Sequence, residues 1–325
     1  MNRSPNSSAF SSAVTQFLAH KHALGHRYQQ EARVLRKLQQ HVAQCRGCDL
    51  NAKSFGSWLA GFKKNHPNTR RKWYQIARLF CVYRRRGEPG CFLPTVDGAP
   101  KHQPHITPVI IEPGQIARML GLASELPKTI RSPLRAPALR FAIVLLYTCG
   151  LRVGELLRLT MDDIEEKETV LRIRESKFHK SRLVPLSSSA TRELRDYLRK
   201  RRKTFAAAPG APLLCNRYHG RVRPYSHPGL RSAINRLFDA AGVRNERGSH
   251  PRVHDLRHTF AVQALIRWYQ NDADVQSCLP KLALYMGHVS IESSAYYLHW
   301  VPTLRSLASH RFEQKFGHFV EGGAR

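Results

Sequence analysis

Acidic residues are scarce in this sequence. Among 325 residues there are 23 Asp and Glu against 53 Lys and Arg, so the formal net charge is +30 at pH 7 with histidine neutral. The basic residues are spread along the chain and are not confined to a tail. An excess of this size is far more typical of a protein that binds nucleic acid than of one whose cationic surface has no polyanionic partner.

A disulfide framework, a complete metal-site pattern and a membrane span are also missing. The seven cysteines show no framework spacing, and without a signal peptide they predict a reduced, cytoplasmic protein. Cys45 and Cys48 form half of a zinc-site pattern with His41 before them, but no second paired cluster follows, so we expect no metal. The longest uncharged apolar run, between Arg140 and Arg152, is too short to cross a bilayer and predicts a buried helix, whose bounds we place at Arg135 and Thr148.

The hydrophobic pattern predicts two domains, and the expected fold class is mainly α with a small β-sheet (α+β). Residues 1–90 contain four amphipathic helical patterns, whereas residues 91–108 are rich in Pro, Gly and His without a period and indicate a linker. Residues 109–300 form the second predicted domain, which combines helices with two strands. Residues 301–325 are a tail whose apolar positions recur at four-residue steps, which predicts one more amphipathic helix.

The fourth helix of the first domain is predicted to carry a basic face. Its inward positions include Ile76 and Phe80, and Asn68 or Thr69 can cap its first turn. The cations expected to bind DNA from its outer face and its end are Arg70, Arg71, Lys72, Arg84 and Arg85. The alternative is that these side chains are only solvated.

The segment from Val253 to Ala261 concentrates side chains that suit phosphate chemistry. In a helix, His254, Arg257 and His258 stand at i, i+3 and i+4 and share one face. An imidazole can move protons while a guanidinium grips phosphate oxygens. The two histidines could also bind zinc, but the glutamate that a zinc hydrolase carries directly after the first His is absent.

Two further segments offer cations. Gly150 interrupts an apolar helix, and Arg152 then stands at the start of the next helix, where the N-terminus favours anions. Alternating apolar residues at 169–174 and 182–186 predict two strands, and the basic hairpin tip between them includes Lys177. A mobile lysine on such a turn can reach a phosphate oxygen in a DNA groove.

The segment from Tyr285 to His299 adds a possible nucleophile. It contains His288 after a glycine, a Ser-rich turn, and Tyr296 next to Tyr297. A tyrosine hydroxyl is a good nucleophile for a phosphodiester, because the phosphotyrosine that forms stores the energy of the broken bond.

Taken together, these segments resemble the motifs of the tyrosine recombinase (phage integrase) family. In order they are Gly-Leu-Arg-x-Gly-Glu-Leu, a Lys before Arg-Leu-Val-Pro-Leu, His-x-Leu-Arg-His-Thr-Phe-Ala, Gly-His and Tyr. The resemblance covers residues 109–300, and the first domain matches only in general character, as a helical, basic core-binding module. It implies a site-specific recombinase that cleaves and rejoins DNA through a 3′-phosphotyrosine.

The resemblance also implies roles for the cations. Arg152 and Arg257 would grip the non-bridging oxygens of the scissile phosphate. Lys177 would donate a proton to the departing 5′ oxygen, and its distance from the Arg-Leu-Val-Pro-Leu strand favours it over the alternative, Lys180, which we expect to bind DNA.

The remaining roles fall on two histidines and a tyrosine. The resemblance implies that His254 is the general acid–base and that His288 hydrogen-bonds the phosphate. Tyr297 would attack and leave a free 5′-hydroxyl; its spacing from His288 favours it over Tyr296, which would then be a packing residue. The chemistry implied needs no cofactor, metal or ATP.

Partners follow from the same resemblance. Double-stranded DNA is expected, bound by a homo-tetramer on paired sites in the cytoplasm of a bacterial-type cell, at the nucleoid, with accessory or sister recombinases possible and no membrane contact. The tail helix would pack on a neighbouring protomer or fold back on its own domain, and the stretch 268–280 is interpreted as a loop insertion. Two alternatives stay open: relaxation of DNA in the manner of a type IB topoisomerase, and a non-catalytic DNA-binding protein on the same fold.

Overall fold

The chain divides into two compact units, Met1–Ile106 and Thr107–Arg325. A computed structural model describes residues 5–45, 49–103, 107–165, 169–174, 181–206, 208–245, 248–287 and 306–314. The protein is mainly helical with two small antiparallel sheets, so the predicted α+β class is confirmed. No helix within the described residues is long and apolar enough to span a membrane.

Four helices build the first unit where the structure describes it. They are α1 (Pro5–Ala23), α2 (Gln29–Gln44), α3 (Ala52–Ala60) and α4 (Pro67–Arg84). Their amphipathic patterns bury one face of each helix in a shared core that is rich in aromatic rings. Phe10 and Phe17 of α1 both meet Phe80 of α4 edge to face, with ring centroids 5.4 and 5.7 Å apart. Such edge-to-face pairs fix the angle at which the helices pack as well as burying area.

Arg84 does not lie on the predicted outer basic face. It is buried, at 8% exposure, and donates hydrogen bonds to Asp49 at 2.6 Å and Glu88 at 2.5 Å. Its guanidinium also lies 5.4 Å from the centroid of the Phe10 ring. Two carboxylates and an aromatic face compensate for the loss of water, so this arginine stabilises the first unit and does not face solvent.

The other predicted basic side chains of α4 vary in how open they are. Arg70 is half-buried and Lys72 is exposed, 3.8 Å from a carboxylate of α2. Arg71 and Arg85 each donate a hydrogen bond to a carbonyl of the segment 91–103. That segment forms most of the predicted linker. It packs on the first unit and belongs to the same compact unit.

Within the described residues the second unit contains helices α5 to α11 and five strands, together with the helical stretch 306–314 of the tail. The helices are α5 (Pro113–Ser124), α6 (Arg135–Thr148), α7 (Val153–Arg158), α8 (Ser188–Thr204), α9 (His227–Ala240), α10 (Asp255–Gln270) and α11 (Val275–Met286). The strands are β1 (Ile164–Glu165), β2 (Val170–Ile173), β3 (Arg182–Pro185), β4 (Cys215–Tyr218) and β5 (Arg221–Pro224). The apolar helix α6 is the centre of the core and has the predicted bounds.

The strands form two separate antiparallel sheets. In the first sheet, with the order β1-β2-β3, Leu171 pairs with Val184, and both side chains are fully buried. This sheet contains both predicted strands. The second sheet, β4-β5, and the short strand β1 were not predicted.

The stretch 268–280, interpreted as a loop insertion, is largely helical, and that interpretation is wrong. α10 continues to Gln270, and α11 begins at Val275 after a short turn. Asp274 caps α11 by accepting hydrogen bonds from two backbone N–H groups of its first turn. Pro280 lies inside α11.

The part of the predicted tail helix that the structure describes, residues 306–314, is helical and contacts the second unit. Arg311 donates hydrogen bonds to the carbonyls of Asp272 and Ala273 at 2.9 and 2.8 Å, and its Nε lies 3.2 Å from the Asp272 carboxylate. This portion of the tail therefore folds back on its own unit, while Phe312 stays 64% exposed.

Candidate functional site: an arginine cluster at the end of a helix

Arg257 is anchored inside the second unit. It lies in the first turn of α10, is 2% exposed, and donates hydrogen bonds from Nη1 to the Gly150 carbonyl at 2.5 Å and from Nη2 to the Met286 carbonyl at 2.6 Å. These contacts join α10 to the break after α6 and to the end of α11. A guanidinium held in this way keeps its orientation and loses little entropy when it meets an anion.

Arg152 approaches the same helix end from α7. It is the N-cap of that helix, and its Nη2 donates a hydrogen bond to the Gly287 carbonyl at 2.8 Å. Its Nη1 and its backbone N–H both donate to Glu155, at 2.7 and 2.9 Å. The side chain is 24% exposed, so Arg152 is the more open of the two predicted phosphate-gripping arginines.

Arg182, the first residue of β3, completes the cluster and was not predicted. Its Nε donates a hydrogen bond to the Tyr285 carbonyl at 2.7 Å, and its two terminal nitrogens donate to the two oxygens of Glu155 at 3.1 and 2.9 Å. Three consecutive carbonyls at the end of α11 thus accept hydrogen bonds from three arginines. The last carbonyls of a helix lack intrahelical partners and carry partial negative charge, so cations are stabilised there.

Glu155 is the carboxylate at the centre of the cluster. Its side chain is 1% exposed, in contact with Arg152 and Arg182, and one oxygen lies 4.0 Å from Nη1 of Arg257. Burial by itself raises the pKa of this carboxyl, but the hydrogen bonds and charges of Arg182 and Arg152 outweigh it and lower the pKa to about 2. Glu155 is therefore ionised at any physiological pH and fixes the direction of the arginines.

Gly287 allows the helix end to approach the arginines. It is the C-cap of α11 with φ +65°, a conformation that L side chains rarely adopt. A Cβ at this position would lie 2.9 Å from Nη1 of Arg182 and 3.5 Å from Nη1 of Arg152. Gly150 has a similar constraint, because its φ is +58° and a Cβ there would lie 2.5 Å from the ring of Phe260.

His254 is placed one turn before Arg257, as the N-cap of α10. Its ring meets the ring of His258 edge to face, with centroids 4.7 Å apart. His254 is exposed, yet partial loss of water around its ring, together with the charges of His258 and Arg257, lowers its pKa to about 4. His254 is therefore neutral at physiological pH and can accept a proton.

The other predicted site residues lie outside the described part of the chain. These are Lys177, Lys180, His288, Tyr296 and Tyr297. Of the six predicted catalytic residues, the structure brings Arg152 and Arg257 together at the end of α11, with His254 on the same helix as Arg257.

Candidate metal ligands do not cluster in the described ranges, where no group of three or more His, Cys, Asp or Glu could hold an ion. His41, which precedes the Cys45 half-pattern, instead forms hydrogen bonds with Ser57 Oγ at 2.9 Å and the Ser54 carbonyl at 3.1 Å.

The geometry gathers guanidinium groups at one helix end, with a neutral imidazole on the same helix as Arg257. Arginines from three different elements converge on one helix end, and among the described residues Glu155 is the carboxylate that balances them. Forked guanidinium groups suit the oxygens of a phosphodiester, and a neutral imidazole suits proton transfer at its reacting oxygen. Fold and site together are those of a protein that acts on phosphodiesters.

The sequence is similar to known proteins of that class. Residues 111–302 match the phage integrase family. An integrase/recombinase of Sinorhizobium fredii, y4rB, is 30% identical over 95% of this chain and 98% of its own length. The tyrosine recombinase XerC of Chromobacterium violaceum is 34% identical over 47% of this chain and 45% of its own length. The chain belongs to the phage integrase family of tyrosine site-specific recombinases, which confirms the predicted family and activity.

A solved structure shares the fold. The XerH site-specific recombinase, in a post-cleavage complex with its difH substrate, superposes with a TM-score of 0.63 at 17% identity, over 93% of this chain and 84% of that one. At this level of identity the likeness concerns the fold of the protein.

Proposed function

We propose that this recombinase binds double-stranded DNA and exchanges strands through a 3′-phosphotyrosine on Tyr297. The observation that carries the proposal is the convergence of Arg152 and Arg257 on adjacent carbonyls at the end of α11, directly before His288. The net charge of +30 and the DNA complex of the related XerH support DNA as the partner.

The two predicted arginines neutralise the reacting phosphate. A phosphodiester carries one negative charge, and a second develops as the phosphorus becomes five-coordinate. Arg152 and Arg257 each donate to a non-bridging oxygen, so their two positive charges balance the transition state better than the ground state. Glu155 is a positioning residue because it contacts both arginines directly, and Arg182 is one because it holds the Glu155 carboxylate in place.

Proton transfer accompanies each cleavage. The Tyr297 oxygen forms a bond to phosphorus while the bond from phosphorus to the 5′ oxygen breaks, and its electron pair stays on that oxygen. Neutral His254, with a pKa of about 4, accepts the proton of the phenol, and Lys177 donates one to the departing oxygen. His288 hydrogen-bonds the phosphate. The 5′-hydroxyl of a second strand then attacks the phosphotyrosine in reverse.

Strand exchange between two duplexes requires four cleavages, and each protomer supplies one tyrosine. Four copies on two paired sites therefore form the working assembly, with sister or accessory recombinases as further candidates. The substrate is proposed to be a mobile element in the cytoplasm of a bacterial cell, and the relative y4rB, an integrase/recombinase, supports this class.

The test is a covalent trap. The full-length protein is incubated with duplexes taken from the DNA that flanks its gene. Each duplex is nicked near the candidate cleavage position, so that the short fragment carrying the new 5′-hydroxyl diffuses away after attack. Wild type is expected to form a protein–DNA adduct, and Tyr297→Phe to form none. Tyr296→Phe is the matched control and should form the adduct. An adduct of undiminished yield with Tyr297→Phe refutes the assignment.

A second variant separates cleavage from binding. Arg257→Lys keeps the charge but loses the fork, so adduct formation should fall by a factor of roughly 100 or more while DNA affinity changes little. Equal losses in binding and cleavage contradict the proposed role of Arg257.

A further inference from the structure

The β4–β5 hairpin, residues Cys215–Pro224, was not predicted and has no role in the arginine cluster. Its strands pair from Cys215 with Pro224 to Tyr218 with Arg221, and a two-residue turn joins them. The turn residues His219 and Gly220 have φ values of +45° and +74°, and a type I′ turn requires positive φ at both positions. The hairpin is therefore a regular, tight element.

The base of the hairpin is fixed while its tip is open. Cys215 is fully buried, and the backbone N–H of Arg217 donates a hydrogen bond to the Arg131 carbonyl at 2.8 Å. The Ser132 hydroxyl lies 2.7 Å from Asn216 Oδ1, which ties the same strand to the segment before α6. Every residue of β5 is exposed. The tip therefore projects from a rigid support and is not covered by the described part of the chain.

One face of this hairpin carries an aromatic ring and two arginines. Directly paired residues of two antiparallel strands lie on the same face of the sheet, and so do residues two positions apart on one strand. Tyr218 pairs with Arg221, and Arg223 is two positions from Arg221, so all three lie on one face. Tyr218 is 55% exposed, and neither Arg221 nor Arg223 has a hydrogen bond or ion pair with the residues described. Tyr218 meets the ring of its neighbour His219 edge to face, with centroids 4.3 Å apart. The two arginines make no such contact within the described residues, which is typical of cations that bind a partner.

The chain around the hairpin carries positive charge alone. Between Asp196 and Asp239 there is no Asp or Glu, whereas Lys and Arg occur ten times. A long stretch of positively charged residues creates an electrostatic field that attracts negatively charged molecules. Closely spaced arginines beside an aromatic ring are suited to binding a phosphate backbone. A polyanion is the chemistry that this surface fits.

The hairpin also lies within reach of the arginine cluster. The residues before β4 are hydrogen-bonded to the end of α7, through Leu213 N–H to the Leu159 carbonyl at 2.8 Å, and Arg152 caps the other end of α7. From the rise per residue of a helix and of a strand, the tip is at most roughly 35 Å from Arg152. That is about one turn of a DNA duplex.

We infer that the face formed by Tyr218, Arg221 and Arg223 binds the phosphate backbone of the duplex beside the cleaved phosphate. The inference rests on the proposed function, since it takes DNA as the substrate. It adds a second point of contact outside the catalytic centre. Contacts to phosphates supply affinity without reading sequence, so this face holds the duplex in position for the arginine cluster.

The test compares two double variants of the full-length protein. Arg221→Ala with Arg223→Ala removes two charges from the hairpin. The control removes two charges from exposed arginines that face carboxylates, Arg199→Ala with Arg244→Ala. Binding to a random-sequence duplex is measured at several salt concentrations. Each phosphate contact contributes about 0.9 to the slope of log Kd against log salt. The hairpin variant should therefore lower that slope by about 1.8 and weaken binding roughly tenfold or more at low salt, whereas the control should change neither appreciably.

Charge-preserving variants and a cleavage assay complete the design. Arg221→Lys with Arg223→Lys should restore the slope, and circular dichroism should show equal folding for all variants. An unchanged slope in the alanine variant overturns the inference, as does an equal change in the control. Failure of the proposed function can be distinguished from failure of this inference. The first appears as the absence of a covalent adduct with wild type, whereas the salt dependence of DNA binding still shows whether the hairpin contacts phosphates. A slope that falls without any adduct therefore supports the hairpin contact and contradicts only the strand-exchange chemistry.

Discussion

Replacing Glu155 by glutamine should destabilise the second unit by about 3 kcal/mol at neutral pH. The folded-state pKa of about 2, against 4.5 for the free side chain, corresponds to a stabilisation of about 3 kcal/mol for the ionised form. Leaving buried cations without their carboxylate costs about 3–5 kcal/mol in comparable cases, which agrees in size. Glutamine keeps the shape and one acceptor, so the loss reports the charge.

The pH dependence gives this prediction a direction. Because folding lowers the pKa of Glu155, its contribution is fully present above about pH 4.5 and is lost as pH falls through about 2. The stability of wild type should therefore fall across this window more steeply than that of Glu155→Gln. The two curves should converge as both states of the wild-type carboxyl become protonated.

Urea unfolding of the full chain, followed by circular dichroism, measures both effects. Glu193→Gln is the matched control, because its ion pair with Arg140 is partly exposed, with side chains 26% and 33% accessible. Exposed pairs contribute about 0–1 kcal/mol, so the control should lose little. A loss below about 1 kcal/mol in Glu155→Gln, or a pH profile parallel to wild type, refutes the view that this carboxylate holds the cluster.

Three further predictions concern single positions. Gly287→Ala should cost about 1–3 kcal/mol in urea unfolding and slow cleavage, because its φ of +65° strains other residues and its Cβ would displace Arg182. For wild type, kcat/KM should stay level in mild acid and fall only as pH approaches about 4, where His254 becomes protonated; a fall centred near 6.5 contradicts the lowered pKa. Arg84→Ala should destabilise the first unit by about 3 kcal/mol without changing the salt dependence of DNA binding. Arg85→Ala should leave the stability nearly unchanged and lower the slope of log Kd against log salt.

Local patterns predicted the elements that are held together by residues close in sequence. α6 has its predicted bounds because an apolar stretch of that length favours a buried helix over a strand. Arg152, His254 and Arg257 could be singled out because each belongs to a short motif at a helix start. The fold class followed from the same periodicity.

Contacts between distant residues were beyond those patterns. Arg182 is 27 residues from Glu155 and 103 from Tyr285, so its part in the cluster is visible only in three dimensions. Arg84 was predicted to bind DNA because it opens a run of arginines, yet Asp49, 35 residues away, makes its burial possible.

The β4–β5 hairpin escaped prediction for a different reason. Its strands are four residues long, and β5 is exposed on both faces, so no alternation of apolar and polar residues marks it. Only the turn at His219 and Gly220 carried a signal.

The measurement that tests the central claim most directly is the identity of the residue joined to DNA. Wild-type adduct from the nicked duplex is digested with trypsin and nuclease, and the peptide that carries the nucleotide is sequenced by mass spectrometry. The account predicts a phosphodiester on Tyr297, with yield lost in Arg152→Ala and Arg257→Ala. A nucleotide on Tyr296 or any other side chain, or full yield without the arginines, contradicts it.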